Sequence, residues 1–463
     1  MAMGRRKTER QEPLFVMADR LPKSLGHPFY EALNALLAEA GFDRWIEDRC
    51  QPYYENDEKR GQRSIPPGVY FRMLLVGYFE DIDSQRGIAW RCADSLSLRS
   101  FLGVPLEKNT PDHSTMSLTR KRLPPEVFEE VFQFVLGIAA DKKLLSGKIV
   151  GVDSTTVEAN AAMKSIIRRD TQEDWKAYVT RLMREEGVIP EDHEPSEEEV
   201  RRFDKGRKDK KVSNEEWVSP TDPEARITKM KDGTTHLAYK AEHVVDLESD
   251  LILAADIRPA TDGDAQTLAD SVMLAQQNLN AIRSGKQITE VAADKGYHSA
   301  DALELCQHLH LRTYIPEPKR QGDWTWTDKS PDHEQAVHGN RKRMRREKGK
   351  QLQRARSELC ERSFAHVCES GGMRRTWLTG LLETTKRYLM ATAAHNLGRI
   401  LRKLFGIGKP RGLQGADGDY SAAEALWARL WTLIQSIAGY VTAARRTNSG
   451  GISRVPAAPA LAG

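Results

Sequence analysis

The sequence predicts a mixed α/β fold: a mixed five-stranded sheet flanked by helices, with an all-helical region before it and a helical segment after it. Three observations carry this expectation. Up to about residue 145 apolar residues recur at helical spacing, between 148 and 315 short β-type runs alternate with helical ones, and from 379 the helical period returns. A chain of 463 residues is long enough for two or three domains and a substantial core.

The N-terminal stretch begins polar, and Phe29, Leu33, Leu36 and Leu37 then mark a helix. From Pro66 to Leu102 the pattern predicts two or three short helices, with Val69, Met73, Leu74 and Tyr78 on one stripe and breaks at Asp81–Ser84 and Asp94–Ser95. Such a set suits a helix-turn-helix-like module or an ordinary bundle. Asp112 is placed to cap a helix running through Arg122. Pro124-Pro125 opens another, to about Leu144, with Phe128, Val131, Phe132, Val135, Leu136 and Ala139 at a 3.6-residue period.

The character changes at 148–153, a short strand of the buried type. Residues 236–245 and 251–258 predict two more strands, joined as a hairpin through Asp246–Asp250. A helix from Asp264 to Ile282, a strand at 288–294, a helix from Ser299 and a strand at 311–315, stopped by Pro316, complete the run. A helix containing residue 361 follows. The order β, β, β, α, β, α, β, α is that of an RNase H-like core, in which the first and fourth strands lie side by side. The boundaries expected are a flexible 1–24, a helical DNA-binding region 25–145, a catalytic domain 146–405 interrupted at about 157–235 and 317–352, a helical segment 406–446 and a disordered tail 447–463.

Composition narrows the function classes. The 70 basic residues barely exceed the 66 acidic ones, so bulk charge says little about a nucleic-acid partner, whereas local charge says more. No run reaches the roughly 18–20 apolar residues of a membrane span, and the first residues lack the apolar core of a signal peptide. The five cysteines are scattered without a CxxC pair, which fits reduced thiols in a cytoplasmic protein and neither a zinc site nor a disulfide framework. His113, His236, His243 and His395 are isolated, without metal-site spacing.

Three carboxylates stand out. Asp153 follows Lys148-Ile-Val-Gly-Val, Asp294 follows Ile288-Thr-Glu-Val-Ala-Ala, and Glu361 lies in the arginine-rich helical run Arg356-Ser-Glu-Leu-Cys-Glu-Arg362. Strand ends hold carboxylates rigidly, and a helical glutamate can close the site from the side. Clustered carboxylates favour a hard divalent cation such as Mg2+, and two such ions can assist an in-line phosphodiester displacement. Taken singly, either aspartate also suits a cap or turn, and Glu361 a solvated helix position. Cys360, Phe364 and Val367 form an apolar stripe with Glu361 at its edge, while Glu358, one turn earlier, competes for the third place ahead of Glu369. Ser154-Thr155-Thr156 lacks the glycine elbow of a nucleophile.

These pieces resemble the bacterial insertion-sequence transposases of the DDE class. The matching motifs are Gly151-Val-Asp153-Ser-Thr, Tyr239-Lys-Ala-Glu-His243, Asp294-Lys-Gly-Tyr297, Glu361-Arg-Ser-Phe-Ala-His366 and Ala394-His-Asn-Leu397, and the helical stretch around Pro66–Arg122 is similar too. The resemblance implies metal-dependent cleavage and strand transfer at transposon ends, with Asp153, Asp294 and Glu361 as ligands of Mg2+ or Mn2+, two ions in all. It implies DNA as partner, both element ends and target, and from the mechanism a homodimer on DNA, cytoplasmic and nucleoid-associated when bound. One departure is plain: where relatives carry a lysine or arginine six or seven positions after the glutamate, this chain has Val367 and Cys368, so Arg362 or Arg374-Arg375 would supply the charge.

For DNA contact the candidates are Lys295 and Tyr297 beside the second aspartate, Arg362, and Arg341, Lys342, Arg343, Arg345 and Arg346 in the basic run 341–350. That run also suits a solvated loop. Trp324 and Trp326 suit stacking on an unpaired base or covering a sheet edge. A nuclease that cuts without joining, and an idle DNA-binding descendant, are the alternative functions.

Overall fold

The computed structural model describes residues 26–54, 64–208, 212–230, 233–319 and 330–413. Seven helices come first: α1 (Pro28–Glu39), α2 (Phe42–Cys50), α3 (Pro67–Phe79), α4 (Gln85–Asp94), α5 (Leu96–Leu102), α6 (His113–Arg122) and α7 (Pro125–Asp141). Their starts follow from local chemistry. Ser84, Ser95 and Asp112 each accept an otherwise unpaired backbone N–H of the first turn, and proline opens α1, α3 and α7.

The sheet follows. Strand β1 (Ile149–Glu158) leads into a lobe with β2 (Ile167–Arg168), α8 (Trp175–Glu185), α9 (Glu197–Gly206), β3 (Trp217–Val218) and β4 (Arg226–Lys229). Then come β5 (Thr235–Asp246), β6 (Leu251–Pro259), α10 (Asp264–Ala281), β7 (Glu290–Ala293), α11 (Ala300–His308), β8 (Arg312–Tyr314), α12 (Pro331–Met344), α13 (Glu347–Phe364) and α14 (Leu381–Phe405). Laterally the core strands run β6-β5-β1-β7-β8, with β1 antiparallel to β5 and parallel to β7. This is the mixed, helix-flanked sheet of an RNase H-like core, and the first and fourth core strands are neighbours as expected.

Two expectations about the sheet need correcting. It has six strands, because β4 pairs with Thr235–Ala238 at one end of β5 while β6 pairs with Tyr239–Asp246. β4 is short and polar (Arg-Ile-Thr-Lys), so no apolar run betrays it. β1 also continues five residues beyond Asp153, because β5 is long enough to pair with it through Glu158. The lobe between β1 and β4 has its own small apolar cluster of Val179, Met183 and Val200.

Helices α10 and α13 both pack on the strands, and α14 lies along β6, α3 and α7. One continuous apolar core therefore runs from Phe29 in α1 to Leu401 in α14. Two asparagines close backbone groups beyond the ladders. Asn396 bonds both N–H and C=O of Ile252 (2.9 and 2.8 Å), and Asn340 does the same for Ile315 (3.0 and 2.7 Å). Among the described residues no helix is long and apolar enough to cross a membrane. Trp324, Trp326, the expected flexible start 1–24, the expected helical segment 406–446 from residue 414 on, and the expected tail 447–463 lie outside the described residues.

Candidate active site

Side chains alternate along β1 and divide the site between two faces. Gly151 and Asp153 face α13. A methyl on Gly151 would stand 2.8 Å from Leu247, 3.0 Å from Cγ of Arg356 and 3.0 Å from Sγ of Cys360. Glycine here is thus a matter of close approach, letting α13 lie against the strand. Opposite Asp153 in the ladder stands His243, which belongs to the same face and meets the same helix. Its Nδ1 is 2.8 Å from Ser363 Oγ, its Nε2 is 2.8 Å from Tyr388 Oη, and its ring stacks on Phe364 at 4.1 Å. Burial pushes its pKa down to about 3.

Asp153 is held from both sides. Its Oδ1 accepts the Ser154 N–H at 2.9 Å, and its Oδ2 accepts Arg356 Nη1 at 3.1 Å, with both side chains mostly buried. Asp294 follows the last residue of β7. Because Val152 pairs with Ala293 in parallel register, Asp153 and Asp294 each stand one residue beyond that pair, side by side where the pairing ends. Asp294 Oδ1 accepts the Gly296 N–H at 2.7 Å and opens a single turn of 3-10 helix, Lys295–Tyr297.

Glu361 is exposed on α13, the helix that covers Asp153, and its Oε1 accepts Ser357 Oγ at 2.9 Å. It lies beside Cys360, whose thiol is pushed well up by burial and, next, by the Asp153 carboxylate, with Arg356 opposing. The rival Glu358 is ion-paired to Arg362, and Glu369 to Arg374. Val367 and Cys368 are buried. Arg374 instead brings its Nη1 to 3.4 Å from Thr155 Oγ1, because the segment around 374–376 hydrogen-bonds to the end of β1 at Glu158.

On the opposite face lies a polar cluster. Lys240 Nζ is 2.7 Å from Asp264 Oδ1, 3.2 Å from Glu242 Oε2 and 3.1 Å from Thr267 Oγ1, while Ser154 Oγ donates to Asp264 Oδ1 at 3.0 Å. Lys240 and Glu242 are almost wholly buried. The cluster reaches Asp294 at Gly296, where a methyl would stand 2.8 Å from Asp264 Oδ2 and 3.0 Å from Asp294 Oδ1. Tyr297 is buried against it, and burial, then the charges of Glu242 and Asp264, push its phenol pKa well up.

Arg356, Lys240, Glu242 and Asp264 escaped the sequence reading as site residues. For Lys240 and Glu242 a signal was present, two charges two apart in an otherwise apolar strand. For Arg356 none was, because Asp153 is 203 residues away, and for Asp264 none was, because its partners Lys240 and Ser154 lie on two different strands.

The DNA-contact candidates divide. Lys295, Lys342, Arg345 and Arg346 are exposed. Tyr297 is a correction: wholly buried, it presents no surface to a strand. Arg341 is paired with Glu317 at 2.7 Å, Arg343 donates to the Thr313 carbonyl at 2.9 Å, and Arg362 bridges Glu358 and Asp250. The basic run is the end of α12 and the start of α13 rather than a loop.

Aspartate and glutamate oxygens suit a hard divalent ion, and adjacent strand ends place two of them as neighbours. Yet among the described residues no three His, Cys, Asp or Glu side chains stand together in a way that could hold a metal ion. Asp153 faces Arg356, and Glu361 is turned to Ser357. The donor chemistry fits, and the third carboxylate is not gathered.

Comparison with known families gives two matches. Residues 17–122 match the family model described as a transposase domain, DUF772, and residues 200–397 match the one described as a transposase DDE domain. The second span contains Asp294 and Glu361 but begins after Asp153. No curated protein and no solved structure matches the chain.

Proposed function

The chain belongs to the insertion-sequence DDE transposases, and we propose that it cuts DNA at the ends of its element and joins the freed 3′-hydroxyl to target DNA. The observation that carries this reading is that Asp153 and Asp294 each stand one residue beyond the parallel pair Val152–Ala293, side by side, with α13, the helix that bears Glu361, packed on the first strand. The family normally uses a divalent metal. Mg2+ or Mn2+, held by Asp153 and Asp294 and closed off by Glu361, would neutralise charge on the attacking and leaving oxygens.

The chain's own residues do the rest. Arg356 neutralises Asp153, and its withdrawal would free an oxygen to hold a metal ion. Gly151 keeps α13 close enough for Glu361 to swing toward the strand ends. The Lys240, Glu242 and Asp264 cluster fixes Ser154 and, through Gly296, the turn that carries Asp294. Lys295, Lys342, Arg345 and Arg346 are exposed cations suited to backbone phosphates. Pairing two element ends calls for two such sites, hence a homodimer on DNA.

The test is excision and integration of a marker flanked by the gene's own bordering DNA. Wild type is compared with Asp153→Asn, Asp294→Asn and Glu361→Gln. Movement in wild type that is lost in all three supports the reading. Cleavage without joining would replace it with a nuclease, and activity that survives Glu361→Gln but not Glu358→Gln would move the third ligand.

A further inference from the structure

A second polar site lies where the chain doubles back over α14. The helix ends at Phe405, Gly406 turns with a φ of 83°, and the following residues cross α14 at Gly398. The two backbones touch there: a methyl on Gly398 would stand 2.8 Å from the Gly408 carbonyl oxygen, and one on Gly408 2.7 Å from that of Gly398. The crossing encloses a cavity of about 440 Å³ whose polar lining includes His366, His395, Arg399, Arg402, Lys409 and Arg411.

Its charge is unbalanced. Arg411 is paired with Asp81 at 2.6 Å and Arg399 with Asp250. Arg402 and Lys409 have no carboxylate within ion-pair distance among the described residues; Lys409 stands over the Tyr78 ring, 5.7 Å from its centre. His395 is 2% exposed, and its Nε2 has no hydrogen-bond partner among the described residues. A buried polar atom without a partner is costly and marks a place where a ligand atom belongs. Two uncompensated cations beside such an atom call for an anion with several acceptor oxygens.

We propose that this cavity binds a phosphate group, with Arg402 and Lys409 supplying charge and His395 Nε2 donating a hydrogen bond. The electrostatics agree. Burial and the neighbouring cations Lys409 and Arg399 hold His366 down to about 4, and His395 is lowered by burial and then by His366, so an anion relieves a strain already present. The site stands apart from the carboxylates, yet Arg399 shares Asp250 with Arg362, the neighbour of Glu361. The phosphate belongs either to a DNA backbone or to a free phosphate ion.

Calorimetric titration of the full chain with inorganic phosphate, at constant ionic strength, is the first arm. One site is expected, weakened about tenfold by Arg402→Ala and by Lys409→Ala, as for loss of a charge-assisted contact. Thermal melting checks that both variants fold, and Arg402→Gln serves if the alanine variant does not. The second arm measures binding of random-sequence duplex DNA against salt. A fall of about 1 in the slope for each variant assigns the site to a DNA phosphate. Loss of inorganic phosphate binding with an unchanged slope assigns it to the free ion. Wild type that takes up no phosphate, together with a double variant whose salt slope is unchanged, overturns the proposal.

Discussion

Arg356 Nη1 lies 3.1 Å from Asp153 Oδ2, joining the helix that carries Glu361 to the strand that carries the first aspartate. A divalent ion ligated by Asp153 must displace this guanidinium or share the carboxylate with it. Arg356→Gln should therefore lower the Mg2+ concentration for half-maximal DNA cleavage by about three- to tenfold, the scale of one partly buried ion pair. A metal titration of cleavage checks it. An unchanged midpoint with a lower maximal rate would assign Arg356 to DNA instead.

Gly151 marks the closest approach of α13 to β1. Gly151→Ala should destabilise the protein by about 1–3 kcal/mol, the usual cost of overpacking, and reduce cleavage more than binding because Glu361 rides on the displaced helix. Urea unfolding and a gel-shift measurement separate the two effects. A variant that melts like wild type would show that the helix yields without cost.

The cluster of Lys240, Glu242 and Asp264 is a buried charge network, and removing one partner strands the others. Lys240→Met should cost about 3–5 kcal/mol, whereas exposed Lys342→Met should cost less than about 0.5 kcal/mol. Paired urea denaturation curves test the contrast. Equal costs would mean that Glu242 and Asp264 find other partners.

His243, with its pKa pushed down to about 3 by burial, sets a pH dependence. The unfolded chain takes up a proton below about pH 6.5 and the folded one does not, so the unfolded state binds more protons and acid favours it. Stability should be steady above about pH 6.5 and fall by roughly 1.4 kcal/mol per pH unit below it, until the folded pKa is reached. His366, pushed down to about 4, adds to the slope over a narrower range. Denaturation midpoints at pH 7, 6 and 5 check the sign, and His243→Gln should flatten the slope while lowering stability at pH 7.

Much of this was legible in the residues. The apolar runs at 251–258 and 288–294 specify strands, and the element order of an RNase H-like core sets β1 beside β7; that the two run parallel is seen in the structure. Asp153 and Asp294 were visible for the same reason, as polar residues ending apolar runs. What stayed hidden depends on contacts distant in sequence. β4 pairs with the edge that β5 offers it, Arg341 and Arg343 are spent on Glu317 and Thr313, and Tyr297 is buried where α10 packs on the turn that carries it.

The long helix α14 has a consequence for how the protein comes into being. It is the last long element of the described chain, and it packs against α3 and α7 as well as β6. A nascent chain must therefore hold the apolar faces of α3 and α7 open until α14, which starts 240 residues after the end of α7 (381 − 141), has left the ribosome. At roughly 5–20 residues per second that is an exposure of tens of seconds. Translation that stops before α14 should yield an aggregating fragment rather than a separate DNA-binding piece.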